Sequence, residues 1–91
     1  MERIHLEVSG RVQGVGFRWY VVEKARELEL AGWVRNRSDG VVEVAAGGQR
    51  DALAKLENAV NDGPPGALVQ QVRRVDSVQS DSLPKPFKIV R

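Results

Sequence analysis

Arg18 stands two residues beyond a glycine-rich segment, Gly10-Arg11-Val12-Gln13-Gly14-Val15-Gly16. A guanidinium can donate two parallel hydrogen bonds to a phosphate. A turn that feeds a helix can aim successive backbone N–H groups inward, at the positive end of the helix dipole. Gly14 and Gly16 permit conformations and a close backbone approach that a side chain would block. Together these features read as a cradle for a tetrahedral dianion. The glycine pattern is neither a phosphate-binding loop of the Walker type nor a dinucleotide-binding fingerprint. Spacing alone leaves a second reading open. In that reading the glycines serve the backbone geometry of a strand-to-helix turn, and Arg18 is a solvated helix residue.

Composition removes most competing chemistries. The cysteine count is 0, which excludes disulfides, thiolate metal sites and a cysteine nucleophile. A single His excludes a histidine-rich metal cage and leaves His5 as the only base for a Ser-His-Asp relay. His5 lies opposite the apolar alternation of its strand and reads as an exposed face residue. No metal and no other cofactor is expected. The net charge of +2 and a pI near 9.4 suit a small anionic ligand without demanding nucleic acid. Trp19, Tyr20 and Trp33 read as core, rim or substrate-wall residues. An aromatic fraction of 5% and no RNA-binding aromatic signature argue against base stacking. Arg35, Arg37, Arg73 and Arg74 read as a solvated sheet edge that adds modest steering of anions.

The elements that would position Arg18 follow from hydrophobic period. Ile4, Leu6 and Val8 alternate with His5, Glu7 and Ser9, as in a strand with one buried face. From Phe17 the period becomes helical, with Phe17, Val21, Ala25 and Leu28 on one stripe and Gly32 as the expected stop. Trp33 to Arg37 reads as a strand, Asp39-Gly40 as a hairpin turn, and Val41 to Ala46 as the returning strand with Val42, Val44 and Ala46 on one face. A second helix is expected from about Gln49 to Asn61, with Ala52, Leu53, Leu56, Ala59 and Val60 as its stripe. It ends at Gly63-Pro64-Pro65-Gly66. Val69 to Val78 reads as another strand, partly exposed, and Phe87 to Val90 as a short final one.

The resulting order is β-α-β-β-α-β with an added C-terminal strand, the split βαβ pattern of ferredoxin-like folds. The expected architecture is an α+β sandwich, with two helices covering one face of an antiparallel sheet. A chain of 91 residues suits one domain, residues 1–91, with no linker or internal repeat. A hydrophobic fraction of 42% and a charged fraction of 29% match ordinary globular usage rather than disorder. No apolar run approaches the ~20 residues of a membrane helix, and the N-terminus lacks a signal-peptide apolar region. A cytoplasmic monomer is expected, with neither nucleic acid nor membrane as partner.

On these residues the sequence resembles the acylphosphatase family. Gly10-Arg11-Val12-Gln13-Gly14-Val15-Gly16-Phe17-Arg18 is similar to the first family signature, and Gly32-Trp33-Val34-Arg35-Asn36 to the second. Asp39-Gly40, Val42-Glu43-Val44, Gly63-Pro64-Pro65 and Phe87-Lys88-Ile89 keep the family's order and spacing. Position 16 varies among relatives, and Gly16 is an acceptable variant. The resemblance covers essentially the whole chain. It implies hydrolysis of a carboxyl-phosphate mixed anhydride to a carboxylate and inorganic phosphate, which also inhibits as product. It further implies that Gln13, Gly14, Val15, Gly16, Phe17 and Arg18 bind the phosphoryl group and that Asn36 holds the attacking water. From sequence alone Asn36 also reads as a polar residue approaching a hairpin turn.

Two other functions compete with the enzyme. One is a non-catalytic ferredoxin-like module that binds RNA or a phosphorylated metabolite, because fold alone does not choose between activities. The other is the same domain working inside a larger carbamoyl-transfer protein. The paired Arg18 and Asn36 signatures favour the enzyme. A start at Met1 and an end just after the last strand favour a free-standing one.

Overall fold

The alternation of Ile4, Leu6 and Val8 is realised in strand β1 (Glu2–Arg11), where all three are buried. A computed structural model describes residues 2–76 and 82–91. Helix α1 (Phe17–Glu27) buries Phe17, Val21, Val22 and Ala25. Strands β2 (Ala31–Asn36) and β3 (Val42–Gly48) form the hairpin. Helix α2 (Arg50–Asp62) buries Leu53, Leu56 and Val60, and strand β4 (Leu68–Arg74) follows it. Strand β5 is the pair Lys88–Ile89. The expected strand from Val69 to Val78 thus ends at Arg74, and its positions 77 and 78 lie outside the described residues.

The sheet order is β4-β1-β3-β2-β5. The first four strands pair antiparallel, as expected, but β5 pairs parallel to β2, so the whole sheet is mixed. The reason is the return path of the chain. Gly32 N–H donates to the Pro84 carbonyl at 2.8 Å, and Arg26 Nε donates to the Phe87 carbonyl at 2.9 Å. These bonds lay the C-terminal segment along the outer edge of β2, with Phe87 fully buried. Both helices pack on one face of the sheet and share a core with Leu6, Val8, Val34, Val42 and Val44. Tyr20 ties the helices together, its hydroxyl donating to the Ala59 carbonyl at 2.9 Å.

One helix boundary departs from expectation. Helix α1 stops at Glu27, and Glu29 carries the left-handed turn at φ 58°, before Gly32 is reached. Leu30 N–H closes that turn on the Ala25 carbonyl at 2.9 Å, and the Leu30 side chain is buried. Gly32 instead lies inside β2 at φ 142°. A Cβ there would stand 2.0 Å from the Ala45 carbonyl oxygen and 2.8 Å from the Phe87 ring. The glycine is required by close packing of the edge segment, not by a helix end.

The face of the sheet opposite the helices is a charge network. Glu7 and Glu43 are direct cross-strand partners, an arrangement that is repulsive by itself. Arg37 and Arg73 hydrogen-bond Glu7 at 2.6 and 2.7 Å. Arg35 bonds Glu43 at 2.7 Å, and the His5 Nε2 side of the ring bonds its other oxygen at 2.5 Å. His5 is therefore half-buried rather than exposed, packed edge-on against Trp33. Arg74 pairs with Glu57 at 2.7 Å, so each of the four arginines read as a solvated edge is engaged by a carboxylate.

Hydrogen bonds from Arg73 and Arg37 hold the Glu7 carboxyl below its ordinary value of 4.5. Burial opposes ionisation of Glu43, but hydrogen bonds from Arg35 and His5 outweigh it and hold that carboxyl low as well. A carboxyl with a lowered folded-state pKa stabilises fully above its unfolded value. That contribution is lost as pH falls through the folded value. Glu7→Gln should therefore flatten the loss of stability in acid. The check is the urea midpoint at neutral pH and at about pH 3, where wild type should fall further than the variant. Equal falls would show that Glu7 contributes nothing to acid sensitivity.

Candidate active site

Strands β1 and β2 flank β3 and run antiparallel to it, so they run parallel to each other. Their C-terminal ends therefore lie at the same end of the sheet. The glycine-rich loop leaves β1 there, α1 begins there, and Asn36 closes β2 there. A register shift at Ser9/Gly10 bends β1 just before the loop, as bulges beside sites commonly do.

The loop enters α1 through Gly16, which takes the N-cap position at φ 79° with no side-chain cap. Gly14 adopts a similar φ of 77°. A Cβ at either position would meet no protein atom within 4 Å, so backbone conformation alone requires glycine there. The first helical hydrogen bond runs from Tyr20 N–H to the Gly16 carbonyl at 3.1 Å. The N–H groups of Phe17, Arg18 and Trp19 lie ahead of it, in the turn that has no partners within the helix. No acidic residue occupies this first turn.

A cavity of about 70 Å³ opens here, lined by Val12, Gly14, Gly16, Phe17, Arg18, Trp19 and Asn36. Arg18 and Asn36 are thus brought to one cavity, as the sequence implied. Among the described residues Arg18 makes no ion pair and no side-chain hydrogen bond, in contrast to Arg35, Arg37, Arg73 and Arg74. The Asn36 Oδ1 atom is buried and without a hydrogen-bond partner. A larger cavity of about 370 Å³ lies between Arg26, Leu30 and Phe87. Its arginine is already bonded to the Phe87 carbonyl. The smaller cavity is the one where the uncommitted Arg18 donors meet the unpartnered Asn36 oxygen.

Two expected loop residues point elsewhere. The Gln13 side chain donates from Nε2 to the carbonyls of Arg37 at 2.8 Å and Val41 at 3.2 Å. It fastens the loop to the hairpin that follows Asn36. Val15 packs against the core. Neither residue lines the cavity. Val12 and Trp19 also line it; Trp19 had read as a core, rim or substrate-wall residue, while Val12 had no role of its own. Trp19 carried one visible signal: it follows Arg18 at an outward position of α1, between the inward Phe17 and Val21. Among the described residues no group of three or more His, Asp or Glu side chains could hold a metal ion.

Fold and cavity together define a small α+β sandwich with a polar recess where its first strand feeds its first helix. The acylphosphatase family profile matches residues 4–89. An acylphosphatase of Koribacter versatilis is 50% identical over 82 residues, 90% of this chain and 74% of that protein. The crystal structure of acylphosphatase from Bacillus subtilis is 41% identical with a TM-score of 0.91, covering 100% of both chains. An acylphosphatase from Coxiella burnetii is 44% identical with a TM-score of 0.86, covering 97% of this chain and 90% of that one. The chain belongs to the acylphosphatase family. It is a hydrolase of acyl phosphates, with a carboxylate and inorganic phosphate as products.

Proposed function

We propose that the cavity at the start of α1 is where the acyl phosphate is cleaved. The observation that carries this reading is the meeting of uncommitted Arg18 donors with the unpartnered Asn36 Oδ1 in one recess. Backbone N–H groups from Gln13 to Phe17 and the Arg18 guanidinium hold the phosphoryl oxygens. The transition state of phosphoryl transfer spreads charge over those oxygens. Donors fixed by the loop stabilise that charge without reorganising during the reaction. Asn36 accepts a hydrogen bond from the attacking water and aims its oxygen at phosphorus. The amide is not basic, so the water's proton passes to a phosphate oxygen of the substrate. The new bond joins the water oxygen to phosphorus, and the bond from phosphorus to the acyl oxygen breaks. The leaving group is a carboxylate, stable at neutral pH, so no general acid is needed.

The whole chain, residues 1–91, acts as one catalytic unit in this reading. A monomer is proposed, because the recess between Arg18, Asn36 and the loop closes within a single copy of the chain. Carboxylate pairing of Arg35, Arg37, Arg73 and Arg74 supports a small anion rather than nucleic acid as partner. No helix among the described residues is long and apolar enough to cross a membrane. Cytoplasmic action without metal or cofactor completes the proposal.

The direct test is hydrolysis of an aryl acyl phosphate beside a phosphate monoester, each with and without an exhaustive chelator. Activity on the mixed anhydride alone, unchanged by chelation, is expected. A rate abolished by chelation and restored by magnesium or zinc would refute the metal-free mechanism. The loop is tested by Gly14→Val, because a β-branched residue at that φ is strained. Phosphate inhibition should weaken about tenfold or more, the loss expected when a charge-assisted hydrogen bond is broken. Unaltered inhibition in a folded Gly14→Val protein would show that the loop is misassigned.

A further inference from the structure

The phosphoryl half of the substrate accounts for Arg18, Asn36 and the loop, but not for Trp19. That residue lines the same cavity while its side chain is 62% exposed. Only Trp19 and Leu68 are exposed large hydrophobic side chains among the described residues, and Leu68 does not line the cavity. Burying a tryptophan is among the largest apolar contributions a side chain makes to folding. Left mostly in water, Trp19 contributes little of this. Its neighbours on α1 show that the exposure follows from its place on the helix. Phe17, Val21 and Val22 are buried in the core, while Trp19 stays exposed and borders the recess.

The face of an indole ring carries negative partial charge and does not attract a phosphate. It offers instead a flat apolar surface, suited to stacking with an aromatic group or covering an extended hydrocarbon. An acyl phosphate has such a second half, and in this cavity that half must leave the phosphoryl cradle toward open space. We propose that Trp19 is a specificity-determining residue that receives the acyl group and favours aromatic or extended apolar acyl phosphates over acetyl phosphate. The inference rests on the assignment of this cavity as the phosphate site.

The experiment compares kcat/KM for an aryl acyl phosphate and for acetyl phosphate, with phosphate inhibition, in wild type, Trp19→Ala, Trp19→Phe and Arg18→Ala. Trp19→Ala should lower kcat/KM for the aryl substrate about tenfold, the scale of a lost stacking contact with its buried area. Acetyl phosphate turnover and phosphate inhibition should stay within about twofold, since neither uses the indole face. Trp19→Phe should recover most of the aryl preference, and its exposed position makes both variants compatible with the fold. Equal losses on both substrates, or weakened phosphate inhibition in Trp19→Ala, would overturn the role of Trp19 alone. Unchanged phosphate inhibition in Arg18→Ala would overturn the cavity assignment and the inference with it.

Discussion

Arg18→Ala is expected to weaken inhibition by inorganic phosphate and to slow hydrolysis together. Arg18 lines the cavity and its guanidinium is paired with no carboxylate among the described residues, so it is available to an anion. Hydrogen bonds to charged groups contribute about 1.5–3 kcal/mol each, so phosphate affinity should fall by roughly 10- to 100-fold. The rate should fall further, on the order of 10³-fold in kcat/KM, because charge on the transferring phosphoryl group is met more strongly in the transition state. Arg18→Lys separates charge from geometry. A lysine restores a positive point charge but not the planar fork, so it should recover only a small part of either loss. Full recovery by lysine would mean that Arg18 acts through general field alone. The measurements are steady-state kinetics and phosphate inhibition on proteins whose circular dichroism matches wild type.

Sequence pattern carried most of this architecture because the elements that hold the site are strongly periodic. Ile4, Leu6 and Val8 predict their strand, and Leu53, Leu56 and Val60 predict α2, since each set is buried as its period requires. The paired segments ending in Arg18 and Asn36 stood out through family resemblance as the candidate site, and the fold supplies the reason they meet: β1 and β2 are parallel neighbours of one central strand. What pattern did not carry was contact made across the chain. Gly32 looked like a helix stop because a glycine after a helical stripe usually is one. Only the packing of Phe87 and the Ala45 carbonyl against it shows another cause. His5 looked exposed because its strand alternates, yet Glu43 and Trp33 from neighbouring strands cover it. The Gln13 side chain, silent in the pattern, spans to the carbonyls of Arg37 and Val41 in the hairpin turn. Each miss is a long-range pairing, which single-sequence periodicity does not contain.

Asn36→Ala should fail in a different way. The residue ends β2, with its backbone paired to Val42, so alanine keeps the strand while deleting the amide. The deleted Oδ1 is buried and has no hydrogen-bond partner, so its loss removes no internal hydrogen bond. Folded stability should change little for that reason, and any change should come from the small volume removed. Catalysis should suffer much more. If the amide holds the attacking water, its contribution is realised mainly as the water approaches phosphorus, and kcat should drop on the order of 10²-fold or more. Phosphate inhibition should remain nearly intact, because the loop and Arg18 still hold the anion. The decisive comparison is therefore phosphate affinity in the two folded variants. If Asn36→Ala loses phosphate binding while Arg18→Ala keeps it, the roles are reversed. If Asn36→Ala retains wild-type kcat, water is positioned by another group, and the buried Oδ1 has no part in the reaction.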